Sequence, residues 1–442
     1  MTLVRIDALG SGGDGIAMLD GQQVFVPFTA PGDEVDVTLQ KVARDDGGRG
    51  RGASRGRKPD AAAAKAGGVA RVKVGKLHVA GPDRVAPACR HFGSCGGCAV
   101  QHLSDDFMAD WKRQQVQAAL GRRGVDGIAV AETFRGGPAR RRRAGLTAQS
   151  DNRGAVRLGF HARGSRELVD LQECPVLEPE LARLIAPLRQ VLAGKLAAKE
   201  SARIAINLTD TGADIQIEGA FDPGPDMLMD LAAFADDFDL ARLTLTGGSM
   251  GQVPIATRRP PTLEWPGLHV VAPPGTFLQA DKVVEAEMQR RIAIAATGAK
   301  RVIDLFSGIG TLTAALPQTA EVLALDSAAD AIRALRVGAD KGRRTWLKTA
   351  VRNLMHDPLI ESELAGHDLV ILDPPAAGAR AQAETLARSD VPRIVYVSCA
   401  PGTFARDARM LIDGGYRLTS VTPLDQFFWS PEIELLAVFD RP

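Results

Sequence analysis

The sequence predicts an α/β protein whose C-terminal third is a doubly wound, mostly parallel sheet, preceded by a small β-barrel and a central α+β domain. Three observations predict it. From residue 301 onward, apolar strand-like runs (Val302–Phe306, Val322–Asp326, Asp368–Asp373, Arg393–Val397) alternate with helical patterns. Ser307-Gly308-Ile309-Gly310-Thr311 follows the first run and opens a helical pattern from Leu312 to Leu316. That is how a doubly wound sheet makes a ligand site beyond its first strand. Residues 2–43 instead hold short alternating runs between turn signals, a barrel pattern rather than βαβ units.

A chain of 442 residues accommodates three domains, placed here at 1–82, 83–280 and 281–442. In the first, Ile16-Ala17-Met18-Leu19 and Val24-Phe25-Val26-Pro27 flank Asp20-Gly21, a two-residue hairpin turn. Glu34–Leu39 and Val72-Lys73-Val74 supply the strands that close a small five-stranded barrel. Between them, residues 44–70 are Gly, Arg and Ala without periodicity, expected to form a disordered basic insertion suited equally to phosphate contact and to a solvated loop. The second domain opens on Cys89-x5-Cys95-Gly96-Gly97-Cys98. Ser104 then caps a helix that ends at Gly121 and carries Phe107, Trp111 and Leu120 near one face as core residues.

Residues 128–275 read as α+β. Arg140, Arg141, Arg142 and Arg143 stand just before a strand-like segment, and phosphate contact is expected of them, with a solvated surface as the alternative. Cys174 follows the run Leu168–Leu171. In the third domain a helix over 281–297 carries Val283, Val284, Met288 and Ile292, and the last strands, around Arg417–Val421 and Glu434–Phe439, are placed at the sheet edge.

The net charge is only +1, so no global basic excess announces nucleic acid, and any such partner is held by local patches. The amino terminus shows no signal-peptide core and no apolar run reaches the roughly 18 residues of a membrane span. A cytoplasmic monomer without a membrane partner is the expectation. Five cysteines do not make a disulfide framework in such a chain. Cys89, Cys95, Cys98 and Cys174 suggest one metal or cluster site, for which spacing leaves zinc and iron–sulfur even, and Cys399 suggests a chemical thiol.

Asp326 closes the second strand about 20 residues beyond the glycine turn, where a carboxylate accepts hydrogen bonds from ribose hydroxyls. Asp373-Pro374-Pro375 ends the fourth strand with a carboxylate and a rigid turn, and Cys399 ends the fifth. Together these suggest methyl transfer to a base. Carbon 5 of uracil is a poor nucleophile. A thiolate added at carbon 6 turns the ring into an enolate that can attack a methyl donor. A base must then remove the carbon-5 proton, and Glu434 is the candidate, with Glu432 second.

On these residues the chain resembles the uracil-C5 RNA methyltransferases that use S-adenosylmethionine, in the bacterial 23S rRNA branch, over nearly its whole length. The amino-terminal barrel resembles a TRAM (OB-like) domain, and Cys-x5-Cys-x2-Cys…Cys resembles that branch's 4Fe-4S site. Gly159-Phe160-His161 through Glu173-Cys174-Pro175 resembles its central RNA-binding domain, and Phe277-Leu278-Gln279 its Phe-x-Gln element. The resemblance implies a Rossmann-like methyltransferase domain with Gln279, Phe306, Thr311, Asp326, Asn353 and Asp373 lining the cofactor pocket beside Gly308 and Gly310. It implies Cys399 as nucleophile, Glu434 as proton acceptor, 4Fe-4S rather than zinc at the four cysteines, and the helix at 104–121 packed on the catalytic domain.

Two positions depart from that family. Ala376 stands where Asp-Pro-(Pro/Ala)-Arg has arginine, and Ala400 where Ser-Cys-Asn-Pro has asparagine. The T-loop of tRNA is the alternative substrate. An RNA-binding homologue that has lost activity is the alternative class. Cytosine-C5 enzymes place a second cysteine after the fourth-strand prolines, where Ala376 and Ala377 stand here.

Overall fold

The computed structural model describes residues 1–40, 71–220 and 223–442, so the insertion expected at 44–70 lies outside the described residues. The chain divides into two compact units. One comprises Met1–Ala88, Cys98–Trp111 and Trp429–Pro431, the other Cys89–Gly97, Lys112–Phe428 and Glu432–Pro442.

In the first unit the described strands form one six-stranded sheet, in the order Thr2–Arg5, Glu34–Gln40, Arg71–Val79, Gln22–Val26, Gly15–Leu19, Ala8–Leu9. The expected hairpin is present: Leu19 pairs with Gln22, and Asp20 and Gly21 both take positive φ (49° and 75°), as a primed two-residue turn requires. Alternation puts Val4, Ala17, Leu19, Val24, Val26, Val35 and Val37 inside. Asp33 is buried beneath them. Burial alone would raise its pKa, but Arg84 and the Gly81 and Ala30 N–H groups outweigh that and hold it below the usual carboxylate value.

The second unit contains two large sheets. A seven-stranded one runs Leu168–Asp170, Val156–His161, Arg143–Ser150, Ser201–Thr209, Gly212–Gly219, Arg242–Gly247, Gly251–Thr257, and shares its apolar core with the helices Ile185–Leu192 and Pro225–Asp237. The other is the C-terminal, mostly parallel sheet. Its first strand is Arg301–Leu305, the second Glu321–Asp326, the third Leu347–Val351, the fourth Leu369–Leu372, the fifth Arg393–Ser398, the sixth Arg417–Asp425 and the seventh Glu434–Asp440. Their order is third, second, first, fourth, fifth, seventh, sixth, with the short strand Phe134–Arg135 added beside the sixth.

The first five strands pair in parallel, and the seventh is antiparallel to both neighbours. Every residue of Leu369–Leu372 is buried, because helices cover both faces of a parallel sheet. The seventh strand is thus an interior strand, lying between the fifth and sixth rather than at the edge where the sequence placed it. The helix capped by Ser104 runs Asp105–Gly121, and its Val116, Ala119 and Leu120 join the core that holds Ile303, Leu305 and Tyr396. Among the described residues no helix is long and apolar enough to cross a membrane.

Candidate active site

The glycine turn leaves the first strand through left-handed backbone at Phe306 (φ 64°), Gly308 (φ 53°) and Gly310 (φ 89°). A Cβ at Gly310 would stand 2.5 Å from Leu335, so glycine there lets the turn sit against the following helix, Ala329–Lys341. At Gly308 a Cβ would meet nothing within 4 Å. This open cradle beyond a parallel strand is the space a nucleoside cofactor requires. The helix expected from Leu312 is a single 3-10 turn, Thr313–Ala315, because Leu316 precedes Pro317 and is held extended (ψ 147°).

Asp326 ends the second strand and braces the turn. Its Oδ2 accepts from the Gly308 N–H at 2.9 Å and its Oδ1 from the Ala328 N–H at 2.7 Å, leaving the second lone pair of each oxygen for a ligand. The Thr311 carbonyl accepts from Gln289 at 2.8 Å. Asn353 lies on the exposed loop after the third strand, where its side chain accepts from the Met355 N–H at 3.2 Å. The structure therefore brings Gly308 and Asp326 into direct contact and places Asn353 on a neighbouring loop.

A second group converges at the ends of the fourth, fifth and seventh strands. Ser398 pairs with Leu435, so the antiparallel register sets Cys399 opposite Glu434. Glu434 is 4% exposed, and its Oε1 has no hydrogen-bond partner among the described residues. Burial first, then the Asp373 charge, pushes its carboxyl well above the usual range, against the pull of the Gln426 amide. Asp373 is pushed up to about 7, by burial first and the Asp326 charge after it, against its bond from Gln279 Nε2 at 3.4 Å. The Cys399 thiol is pushed up to about 12, chiefly by burial and then by the Glu434 and Asp373 charges.

Sequence reasoning missed three participants. Gln426 donates from Nε2 to Glu434 Oε2 (2.7 Å) and to Gln279 Oε1 (2.9 Å), and its Oε1 accepts from the Ala280 N–H (2.7 Å). Lys112 is fully buried and donates to Asp425 Oδ1 (2.5 Å) and to the Phe427 carbonyl (3.2 Å). Asp304, fully buried on the first strand, accepts from Thr313, and burial is the main cause of its pKa rising to about 7.

The two departures lie in separate loops, Ala376 after the fourth strand and Ala400 after the fifth, and Thr403 ties the two together. Thr403 donates to the carbonyls of Ala376 (2.9 Å) and Ala400 (3.1 Å), and Arg406 donates to that of Ala377 (3.0 Å). Buried Asp407 accepts from the Ala379 N–H (2.8 Å) and the Tyr396 hydroxyl (2.7 Å). The loop after the fourth strand is therefore held by the helix Pro401–Asp413 rather than by side chains at 376 and 400.

The arginine run does not act as four equivalent phosphate contacts. Arg142 is buried, pairs with Glu285 and donates through Nε to the Gln279 carbonyl at 3.0 Å, so it holds the Gln279 segment instead of facing solvent. Arg143 lies 4.1 Å over the Phe277 ring, and burial lowers its pKa to about 10. Arg140 is exposed, and Arg141 donates to the Arg143 carbonyl at 3.1 Å.

Among the described residues no two cysteines are joined in a disulfide. The Cys89 and Cys95 sulfurs accept backbone N–H groups at 3.4 Å, from His91 and Gly97 respectively. Burial raises both thiols. Among the described residues no three His, Cys, Asp or Glu side chains converge as a ligand set for a metal.

Residues 2–48 match the TRAM domain family model. Over 99% of both chains the sequence is 39% identical to an uncharacterized RNA methyltransferase of Caulobacter vibrioides. It is 32% identical to the 23S rRNA (uracil(1939)-C(5))-methyltransferase RlmD of Chromohalobacter salexigens, over 99% of this chain and 89% of that one. Among solved structures, the Pyrococcus abyssi tRNA (uracil-54, C5)-methyltransferase in complex with S-adenosyl-L-homocysteine shares the fold, with a TM-score of 0.74 at 23% identity over 99% of both chains.

Proposed function

Because the chain belongs to the RNA methyltransferases, we propose that it transfers a methyl group from S-adenosylmethionine to carbon 5 of a uridine, with 23S rRNA as substrate. The observation that carries this reading is the register that sets the Cys399 thiol opposite the buried Glu434 carboxyl, beside Asp373. The 32% identical relative named for 23S rRNA supports the choice of RNA.

The Gly308 cradle, Asp326, Phe306, Thr311 and Asn353 would hold S-adenosylmethionine, which would supply an electrophilic methyl group. Cys399, as thiolate, adds to carbon 6, and the ring's electron pair moves through carbon 5 to oxygen 4. The enolate's carbon 5 takes the methyl as the donor's sulfur–methyl bond breaks, its electron pair staying on sulfur to leave S-adenosylhomocysteine. Glu434 then accepts the carbon-5 proton, the C–H pair becomes the C5–C6 double bond, and the C6–S bond breaks with its pair returning to Cys399. Gln279 and Asp373 complete the cofactor pocket next to the Cys399–Glu434 pair, where the uridine is flipped in. Arg140 and Arg141 are proposed to meet backbone phosphates, and the TRAM domain to hold RNA by shape.

The 4Fe-4S reading of Cys89, Cys95, Cys98 and Cys174 rests on their sequence pattern, with the N–H bonds to Cys89 and Cys95 suited to thiolate sulfur. No catalytic step uses it. Iron and acid-labile sulfide in equal amounts in anaerobically purified protein would support it; zinc alone would replace it.

The experiment that tests the function is fragment-mapped nucleoside mass spectrometry of rRNA and tRNA from cells with and without the gene. Loss of one 5-methyluridine from a 23S fragment is expected. Loss from tRNA instead would keep the chemistry and replace the substrate. Unchanged nucleosides in both would overturn the assignment.

A further inference from the structure

Gln426 stands at the centre of the polar group around Glu434, and its orientation is fixed by chemistry. The Ala280 N–H can only donate, so the atom 2.7 Å from it is the Gln426 carbonyl oxygen. The Gln426 NH2 group must then face the other two partners, Glu434 Oε2 at 2.7 Å and Gln279 Oε1 at 2.9 Å. Gln279 receives a donor on its oxygen, so its own NH2 faces Asp373. Every amide in this chain therefore points one way, from backbone N–H to carboxylate.

The backbone at Gln426 is clamped on both sides. Lys112 holds the Asp425 carboxylate and the Phe427 carbonyl, while the Gly136 N–H donates to the Asp425 carbonyl at 3.0 Å. A Cβ at Gly136 would stand 2.2 Å from that carbonyl, so the approach requires glycine. A buried amide held this rigidly does more than fill space, since one less donor would leave a carboxylate oxygen unsatisfied.

We infer that Gln426 is the positioning residue of the proton-removal step: by occupying Oε2 of Glu434 with an N–H, it leaves Oε1 as the oxygen that receives the carbon-5 proton. This rests on the reading of Glu434 as base. Oε1 has no partner among the described residues, so it can accept without first giving up a bond. When the proton arrives, the carboxylic acid keeps its bond from Gln426 and its geometry.

The test uses the full-length protein with in vitro-transcribed 23S rRNA and tRNA as probes. Gln426→Met keeps length and volume and removes both donors, while Gln426→Asn keeps the amide but falls one methylene short of spanning its partners. Both are expected to lose roughly 10–100-fold in turnover, a fraction of what a general base contributes. Both should also accumulate an SDS-stable methylated protein–RNA adduct, with the Kd for S-adenosylhomocysteine within about threefold of the parent. A purely structural role would lower ligand binding and thermal stability together and trap no adduct. That result in both variants, or parent-like turnover in either, overturns the inference. Glu434→Gln run in parallel separates the two levels: if it stalls as an adduct and the Gln426 variants do not, the base stands and Gln426 has no part in positioning it. If Glu434→Gln turns over at the parent rate, the base assignment falls and the inference falls with it.

Discussion

The Cys399 thiol is raised from an ordinary 9.0 to about 12, so at pH 8 it holds roughly a thousandth of the usual thiolate. A thiolate of higher pKa is the better nucleophile. With a Brønsted slope of about 0.4–0.5 this returns roughly 15–30-fold, and reaction with a small disulfide reagent should run about 30–60-fold slower than with free cysteine. Peptide mass spectrometry after brief exposure to such a reagent between pH 7 and 10 isolates Cys399 from the other four cysteines. The rate should climb about tenfold per pH unit across that window without levelling. Restricted access would lower the whole curve without changing its slope, whereas a plateau below pH 9 would refute the reasoning. A ligand cation restores reactivity. One positive charge about 5 Å away, at an effective dielectric near 20, is worth roughly 3 kcal/mol, or about 2 pKa units. S-adenosylmethionine should therefore speed the pH 8 reaction by about tenfold or more, and neutral S-adenosylhomocysteine should not. Equal effects of the two ligands would refute the electrostatic account.

Cys399→Ala should abolish both methylation and adduct while leaving S-adenosylhomocysteine binding intact by calorimetry; Glu434→Gln should lose at least roughly 100-fold in turnover and trap the adduct on a denaturing gel. Gly308→Val places a β-branched side chain in left-handed backbone and in the open cradle, and should weaken S-adenosylhomocysteine binding by about tenfold or more. Asp304 titrates near 7 when folded against 3.8 ordinarily, so the folded state keeps a proton that the unfolded chain releases, and stability falls as pH rises from about 4 to 7. Asp304→Asn should then be more stable than the parent at pH 8, by up to about 4 kcal/mol in urea melts, and no more stable at pH 4. Arg142→Met leaves Glu285 buried without its ion-pair partner and should cost about 3–5 kcal/mol, much of it recovered by adding Glu285→Leu.

Features that depend on near neighbours were legible in the sequence. The Asp20-Gly21 turn and the Ser104 cap of the helix Asp105–Gly121 each satisfy their backbone within a few residues. Asp326 ends the second strand as its sequence position indicated, one βα unit beyond the turn it braces. Gln426 carried no local signal: its partner Gln279 is 147 residues away, and Lys112 reaches Asp425 across 313. Arg142 did carry one. The buried positions Ala144, Leu146, Ala148 and Ser150 alternate along its strand, and extending that period by one step turns Arg142 inward. The position of the seventh strand was beyond reach, because strand order among neighbours of similar apolar content is decided by tertiary packing.

That strand has a kinetic consequence. Glu434–Asp440 lies between the fifth and sixth strands, so until it threads into place Arg393–Ser398 and Arg417–Asp425 each present an open hydrogen-bonding edge. Its pairing with the sixth strand is a local hairpin, whereas its pairing with the fifth spans the intervening helix and strand, a longer-range contact of the kind that slows folding. It is also the contact that delivers Glu434 to Cys399. The strand that closes this sheet therefore also completes the site.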